Sequence, residues 1–498
     1  MEREKASGER GCPGPLGPRV ARGSVPRQKT EGTEYRLRRS PADRPVVAVR
    51  SLLAGVAVER RGRLTRNVDS INQDMVFWEE PKLSMPMSQD KPFGIPKQAV
   101  WDAYRRVAAN KGAPGVDGQT VKEFEADLGG NLYKIWNRMS SGSYFPPSVR
   151  AVEIPKPHGD GVRMLGVPTI ADRVAQTVVA MHLVERAEPR FLADSYGYRP
   201  NKSALEAVGV CRARCWKHDW VIDLDVQKFF DEVPWDLIVR AVETVTDSRW
   251  VLLYVKRWLT APLQHPDGTL VQREKGTPQG SAVSPILANL FMHYAFDAWM
   301  ARTFAGCPFE RYADDVVVRC TSRRQGEAVL DAITTRMSEV GLVLDPEKTR
   351  VVYCKDDKRR GEHEHTSFAF LGFAFQARMT RARGGGKFSG FLPAISPEAL
   401  KAKGAELRAM RIHRHPTLSI AELARWLNPI VAGWMNYYGH YYRSQMHPLL
   451  QRLNTYIRRW AGRKYRRLRS LKRFQAWWSG LLGRKPGLFA HWRWVRIV

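Results

Sequence analysis

At 498 residues and 43% hydrophobic composition, the chain is long enough for about two or three domains with real cores. Against 50 Asp and Glu it carries 80 Lys and Arg, a formal net charge of +30 that points to a polyanionic partner through phosphate neutralisation and counterion release. No apolar run reaches the length of a membrane span and the N-terminus lacks the hydrophobic core of a signal peptide, which excludes membrane-spanning and secreted classes and leaves a cytoplasmic protein as the expectation.

Residues 1–84 are rich in Arg, Gly and Pro without apolar periodicity and read as a disordered basic leader; a start of synthesis near Met75, Met85 or Met87 is one reading of that texture. From Pro96 the pattern changes, with Val100, Tyr104 and Val107 spaced for an amphipathic helix. After a glycine-rich turn over Lys111–Gly118, the segments Val149–Lys156 and Val162–Pro168 flank a Gly/Pro turn at 157–161. They predict a hairpin carrying Lys156 and Arg163, cations suited to gripping a triphosphate. Asp172–Arg190 reads as a helix with Val174, Val178 and Met181 on one face. Trp220–Val226 reads as a buried strand, followed by Phe229-Phe230-Asp231. Alternation puts Asp223 and Asp225 on one face, and Asp225, nearest the strand's end, can reach a ligand in a cleft.

Lys275–Ser281 is a loop of small residues that lets backbone approach a base or phosphate closely, and Ser284-Pro285 opens an apolar helix. Phe309–Tyr312 and Val316–Val318 then read as two strands joined at Ala313-Asp314, with Asp314 and Asp315 at the hairpin tip. Such a pair alone is equally an acidic β-turn, since Asp is a common turn residue. A helix over Ala328–Val340, the charged turn Asp345–Thr349 and a strand over Phe368–Phe375 follow, and Gly384–Gly386 reads as a linker to the last part of the chain. That part is helical and aromatic, notably over Trp426–Tyr442, and Arg452–Arg473 holds ten Lys or Arg and no acid, the footprint of a nucleic-acid face. The six cysteines (Cys12, Cys211, Cys215, Cys307, Cys320, Cys354) form no C-x-x-C pair and read as buried or free thiols. Cys211 and Cys215 could share a helix face, but no four-ligand zinc spacing emerges.

Nucleotidyl transfer to a primer hydroxyl uses two divalent ions roughly 3.5–4 Å apart, bridged by acids from separate strands of one sheet. Asp225 at a strand end and Asp314 at a hairpin tip meet that need, while Phe230 lies where a ring could close off the sugar's 2′ side.

From about Pro92 to Trp478 the chain resembles the reverse transcriptase/maturases encoded by bacterial group II introns. The resemblance rests on Lys111–Gly118, Ile154-Pro155-Lys156, Asp194–Pro200, Asp225–Asp231, Thr277-Pro278-Gln279-Gly280, Tyr312-Ala313-Asp314-Asp315, Gly341-Leu342 with Lys348-Thr349, and Phe370-Leu371-Gly372, in that order. It implies an α+β, right-hand polymerase: fingers and palm with an antiparallel sheet over residues 85–385, then an all-helical thumb/maturase region over 386–498. It implies catalytic acids at Asp225, Asp314 and Asp315, with Asp225 and Asp314 as ligands of two Mg²⁺ ions, Mn²⁺ being a possible substitute. Lys156, Arg163, Phe230, Gln279 and Lys348 would meet the nucleotide, and Phe370, Leu371 and Gly372 the primer. Arg458, Arg459, Arg466 and Arg467 on the basic stretch would bind RNA.

The expected partners are group II intron RNA, a DNA target and primer, and deoxynucleoside triphosphates, with no membrane. The expected activity is RNA-directed DNA synthesis coupled to splicing and retrohoming. The alternative is a maturase acting only as a splicing cofactor, which intact Asp225, Asp314 and Asp315 argue against. Longer relatives carry a zinc-stabilised His-Asn-His nuclease with paired cysteines. No such cysteines occur here, so the expectation is that no endonuclease acts and that a nascent strand at a replication fork supplies the primer.

Overall fold

The computed structural model describes residues 91–155, 162–381 and 384–496; the leader read over 1–84, Lys156, and the turn read over 157–161 lie outside the described residues. The protein mixes helices with mostly antiparallel sheets, an α+β arrangement. Helix α1 (Lys97–Ala109) buries Val100, Tyr104 and Val107 on the stripe that predicted it. Helix α2 (Val121–Glu125) starts on a capping box in which Thr120 and Glu123 satisfy each other's end groups, and α3 (Leu128–Ser140) follows. Strands β1 (Val149–Pro155) and β2 (Val162–Val167) pair antiparallel, Ile154 opposite Arg163, as the predicted hairpin requires. Helix α4 (Ile170–Ala187) is buried nearly all round, including Asp172, Arg173 and Gln176.

Helix α5 (Ala204–Cys215) leads into β3 (Trp220–Leu224), then α6 (Phe229–Glu232), α7 (Trp235–Glu243), α8 (Arg249–Leu259) and the short strands β4 (Leu263–Gln264) and β5 (Leu270–Val271). These two join β1 and β2 in a sheet of order β2-β1-β4-β5. Helix α9 (Ser284–Met292) begins with Pro285 in its first turn, where a missing N–H costs nothing, and runs through a π-turn into α10 (Ala298–Thr303).

Strands β6 (Phe309–Tyr312) and β7 (Asp315–Cys320) form the predicted acidic hairpin, with Tyr312 opposite Asp315 and only Ala313 and Asp314 in the turn. After α11 (Arg323–Glu339), β8 (Arg350–Tyr353) completes a second sheet of order β6-β7-β3-β8. Both faces of this sheet are covered: Ile222, Leu224, Val316 and Val318 join the main core, whereas Val221, Val317 and Val352 pack with Phe368, Phe370, Phe373 and Phe375. Two-sided burial explains why β7 is a valine run instead of an alternating strand.

Two sequence expectations change. The apolar run Phe368–Phe375 is not one strand but the hairpin β9 (Ser367–Phe370) and β10 (Phe373–Arg381), reversed at Leu371 and Gly372, both at positive φ. Gly384–Gly386 is no linker: it lies in the turn between β10 and β11 (Lys387–Ile395), whose pairing runs from Phe373↔Ile395 to Arg381↔Lys387. Glycine serves the reversal, Gly385 standing at φ +86°. The change to helix falls at Ser396, which caps α12 (Pro397–Ala409). Helices α13 (Ile420–Tyr438), α14 (His447–Lys464) and α15 (Leu471–Arg484) then pack around a separate apolar core that includes Leu427, Leu453, Trp460 and Trp478.

Candidate active site

The acids gather where β3 and the β6–β7 turn end side by side. Pairing of Leu224 with Val316 brings Asp225, the next residue, to the level of Asp315. Strand alternation turns Asp223, Asp225 and Asp315 to one face of the sheet. The electrostatics agree: Asp315 is pushed well above the usual carboxylate range by burial, then by Asp223 and Asp314. Asp314 is raised too, by burial first, with Asp225 adding to the rise and Arg163 opposing it. Asp223 is raised to about 7 by burial, with the Arg350 guanidinium, 3.6 Å away, working against it.

Surrounding segments hold this end rigidly. Ala313 sits at φ +59°, an uncommon conformation for a residue with a side chain, and its carbonyl accepts from Arg311 Nη1 at 3.0 Å. Arg311 is fully buried, with Asp297 bound bidentately at 2.6 Å and Asn289 and Ser195 as further partners. A Cβ on Gly197 would stand 2.4 Å from Ala313 N, so only glycine lets the Tyr196–Tyr198 segment press against the turn. On the other side Asp345 N donates to Asp225 O at 2.8 Å and Asp225 N donates to Thr349 Oγ1 at 3.2 Å. Lys348 Nζ lies 2.8 Å from both Asp225 Oδ2 and Asp345 Oδ2, and these carboxylates raise its pKa.

The nucleotide-side residues fall into two groups. Phe230 and Gln279 line one cavity of about 220 Å³ together with Met164, Gly166 and Arg273. Burial raises both Asp314 and Asp231, and Arg163, exposed on β2, lies near enough to oppose the rise in each. Lys348 is on the acid side, bound to Asp225, and Lys156 lies outside the described residues.

Of the primer residues, Phe370 is a fully buried core ring. Leu371 carries the reversal at φ +52°; its N–H faces Asp315 Oδ2 at 3.5 Å and its carbonyl accepts from Tyr437 Oη at 2.8 Å. Tyr441 and Tyr442 likewise donate to the carbonyls of Leu205 and Met379, so the aromatic segment ending α13 is spent on bonds to other elements. Arg458 and Arg459 share a cavity on α14, whereas Arg466 and Arg467 lie exposed in the following turn.

The sequence reading missed a buried relay behind the Gln279 loop. Asp172, fully buried, accepts from Tyr144 Oη at 2.9 Å, Trp258 Nε1 at 2.7 Å and Gln176 Nε2 at 2.9 Å. Burial still outweighs these donors and raises Asp172 to about 6. Gln176 Oε1 in turn accepts from Ser281 Oγ and Ala282 N, both at 2.8 Å. The opposite end of the loop is held by Gly166 N, which donates to Gln279 O at 2.8 Å. Between the two, Gly280 adopts φ +112°, and a Cβ there would meet Gly166 O at 2.6 Å. The available signal was a polar pair at i, i+4 inside an apolar helix.

An oxygen-only set of coupled acids suits a hard divalent cation. Among the described residues no three ligating side chains close on one point. Asp225 and Asp314 could hold such ions. Among the described residues, no helix is long and apolar enough to cross a membrane.

Comparison with known proteins agrees with this geometry. Residues 154–375 match the family described as reverse transcriptase (RNA-dependent DNA polymerase), and residues 400–478 match the group II intron, maturase-specific domain. The chain is similar to protein YkfC of Escherichia coli K12, 33% identical over 214 residues, covering 41% of this chain and 55% of that protein. It is also similar to group II intron-encoded protein LtrA of Lactococcus lactis, 28% identical over 197 residues, 38% of this chain and 32% of that protein. A longer match, 25% identical over 435 residues, covers 72% of this chain and 51% of an uncharacterized 91 kDa protein in a cob intron of Schizosaccharomyces pombe. The chain thus spans about half or less of the length of these relatives. Sheet, acids and matches together define a reverse transcriptase-type nucleotidyltransferase domain followed by a maturase-specific domain. The chain belongs to the group II intron reverse transcriptase/maturase family.

Proposed function

We propose that the protein is an RNA-directed DNA polymerase that copies group II intron RNA and binds that RNA to assist splicing and mobility. The reading divides it into fingers and palm, then a helical thumb/maturase region beginning near Ser396. The observation that carries it is the meeting of Asp225, Asp314 and Asp315 at one sheet end, facing Arg163 and near the cavity of Phe230 and Gln279. A pure RNA binder has no use for mutually repelling, partly buried acids.

In this reading Asp225 and Asp314 hold two Mg²⁺ ions, which when bound activate the primer hydroxyl and neutralise charge on the leaving phosphate oxygens. The chain's own groups do the rest. Arg163 and, by its place in the sequence motif, Lys156 grip the triphosphate, Gln279 lines the nucleotide pocket, and the Phe230 ring blocks a 2′-hydroxyl. Lys348, bound to Asp225, balances the acids and can turn toward a phosphate. The turn at Leu371 and Gly372, braced by Tyr437, steadies the primer strand. Asp315 keeps that turn in register through the Leu371 N–H.

Primer extension on an RNA template with Mg²⁺ and deoxynucleotides tests the reading. Extension by the wild type that disappears in Asp314→Ala is the expected result, and no synthesis by a folded wild type overturns it. Phe230→Val should admit ribonucleotides; unchanged sugar selectivity removes Phe230 from the gating role.

A further inference from the structure

Phe230 stands on a helix too short to place it. Helix α6 has four residues, follows Lys228 at φ +45° and has no side-chain cap, and a single turn brings little stability of its own. The Phe229 ring is sunk in the core, its centroid 5.2 Å from that of Phe230 and 6.2 Å from that of Phe291. Phe230 itself is half-buried and lines the cavity it shares with Gln279. What fixes its position comes from another part of the chain.

That hold is the segment Lys275–Thr277. Thr277 N donates to Phe230 O at 2.6 Å and Gly276 N donates to Val233 O at 2.8 Å, so two consecutive N–H groups grip the turn of α6 near both ends. Lys275 Nζ also reaches Glu232 Oε2 at 2.5 Å. From α7, Trp235 Nε1 donates to Gly276 O at 2.7 Å, whereas Arg273 Nη1 lies at 3.4 Å from the same oxygen. Gly276 stands at φ +75°, and a Cβ there would lie 2.5 Å from Asp231 O and 2.6 Å from Phe230 O. Only glycine lets this backbone press against α6. The same segment runs straight into Pro278 and Gln279, so it ties Phe230 to the other residues lining the cavity. Steric exclusion depends on such a hold, because an excluding group has to be placed to within about 0.5 Å.

We propose that Trp235 and Gly276 are positioning residues for sugar selection: through the Lys275–Thr277 segment they hold the Phe230 ring where it excludes a 2′-hydroxyl. Preference for deoxynucleotides is then set by this clamp as well as by the ring. The inference rests on the gating role given to Phe230 above and adds what places the ring.

The test is the ratio of kcat/KM for a deoxynucleotide to that for the matching ribonucleotide, in primer extension by the full chain on an RNA template with Mg²⁺. Trp235→Phe keeps an apolar ring and removes the donor to Gly276 O. One lost hydrogen bond shifts an equilibrium several-fold, so the ratio should fall about three- to tenfold. Gly276→Ala drives a methyl group into the backbone of α6 and should lower the ratio by about tenfold or more. Trp299→Phe makes the same change of ring on α10, where Trp299 packs on Phe304, and should keep the wild-type ratio. A melting curve checks that each variant is folded. In a Phe230→Val background Trp235→Phe should lower the ratio no further, since the ring it positions is gone; a merely structural role gives no such coupling. A folded Trp235→Phe that keeps the wild-type ratio, a Trp299→Phe that falls as far, or an equal further fall in the Phe230→Val background overturns the proposal and leaves the gate in place. An unchanged ratio in Phe230→Val alone removes the gate itself, and the clamp's part in selection with it.

Discussion

Gln176 touches no reacting group in the proposed reaction, yet Gln176→Met should impair nucleotide use. Methionine keeps the length of the side chain and removes the acceptor on which Ser281 Oγ and Ala282 N both end, and the donor that reaches Asp172. Each donor stranded without a partner in a buried site costs about 1–3 kcal/mol. The loop bearing Gln279 then loses about 2–6 kcal/mol of its hold in the competent position, while the bonds of Gly166 to Gln279, Thr277 to Phe230 and Ser284 to Pro278 stay in place. At about 1.4 kcal/mol per tenfold, even the lower end of that range is a roughly 30-fold loss of the ordered population. In steady-state primer extension the KM for deoxynucleotide should rise about tenfold or more, with primer Kd unchanged. Gln176→Glu adds a second arm. Its carboxylate restores the acceptor but stands beside Asp172, itself raised to about 6, so the two must share a proton. That variant should work near the wild-type KM below about pH 6 and deteriorate above it. A Gln176→Met enzyme that melts several degrees lower but keeps KM within about twofold of wild type would show that Gln176 only supports the fold, and would refute the relay.

Other outcomes follow from the same geometry. Asp225→Ala and Asp314→Ala should each cut primer extension by about 10³-fold or more, read as initial rate on a preannealed primer. Asp315→Asn should instead raise the melting temperature near neutral pH, because folding holds that carboxylate's pKa above its unfolded value and the ionised form opposes the fold. Tyr437→Phe removes the bond to Leu371 O and should weaken primer binding by about 0.5–1.5 kcal/mol, seen as a several-fold rise in primer Kd. Asp172, raised from 3.8 to about 6, gives folded protein more bound protons than unfolded chain between those values. Its contribution therefore falls as pH rises through that window, by about 3 kcal/mol at most, and denaturant melts of Asp172→Asn should show a flatter loss between pH 4 and 6.

Much of the site could be read from local pattern. The hairpin around Ala313 and Asp314 announced itself because β-branched residues on both sides of a tight turn leave few alternatives, and it pairs as expected. Asp225 was legible because strand alternation is strict enough to fix a face from sequence. The triglycine misled because glycine permits both a free linker and a tight reversal, and only pairing partners tell them apart. The aromatic run ending in Tyr441 and Tyr442 fitted either a core or a binding face, and its hydroxyls turn out to be bonded to distant backbone.

By itself the sequence determined the acidic hairpin, the amphipathic helices, the basic net charge and the order of motifs that marks the family. All of these depend on neighbours along the chain or on sums over it. Tertiary structure alone decided which distant polar groups meet: Gln176 with the Ser281 loop, Tyr437 with Leu371, and four arginines around one cavity. Hydrogen bonds and ion pairs act over about 3–4 Å between residues up to hundreds of positions apart, and nothing in local periodicity encodes that distance.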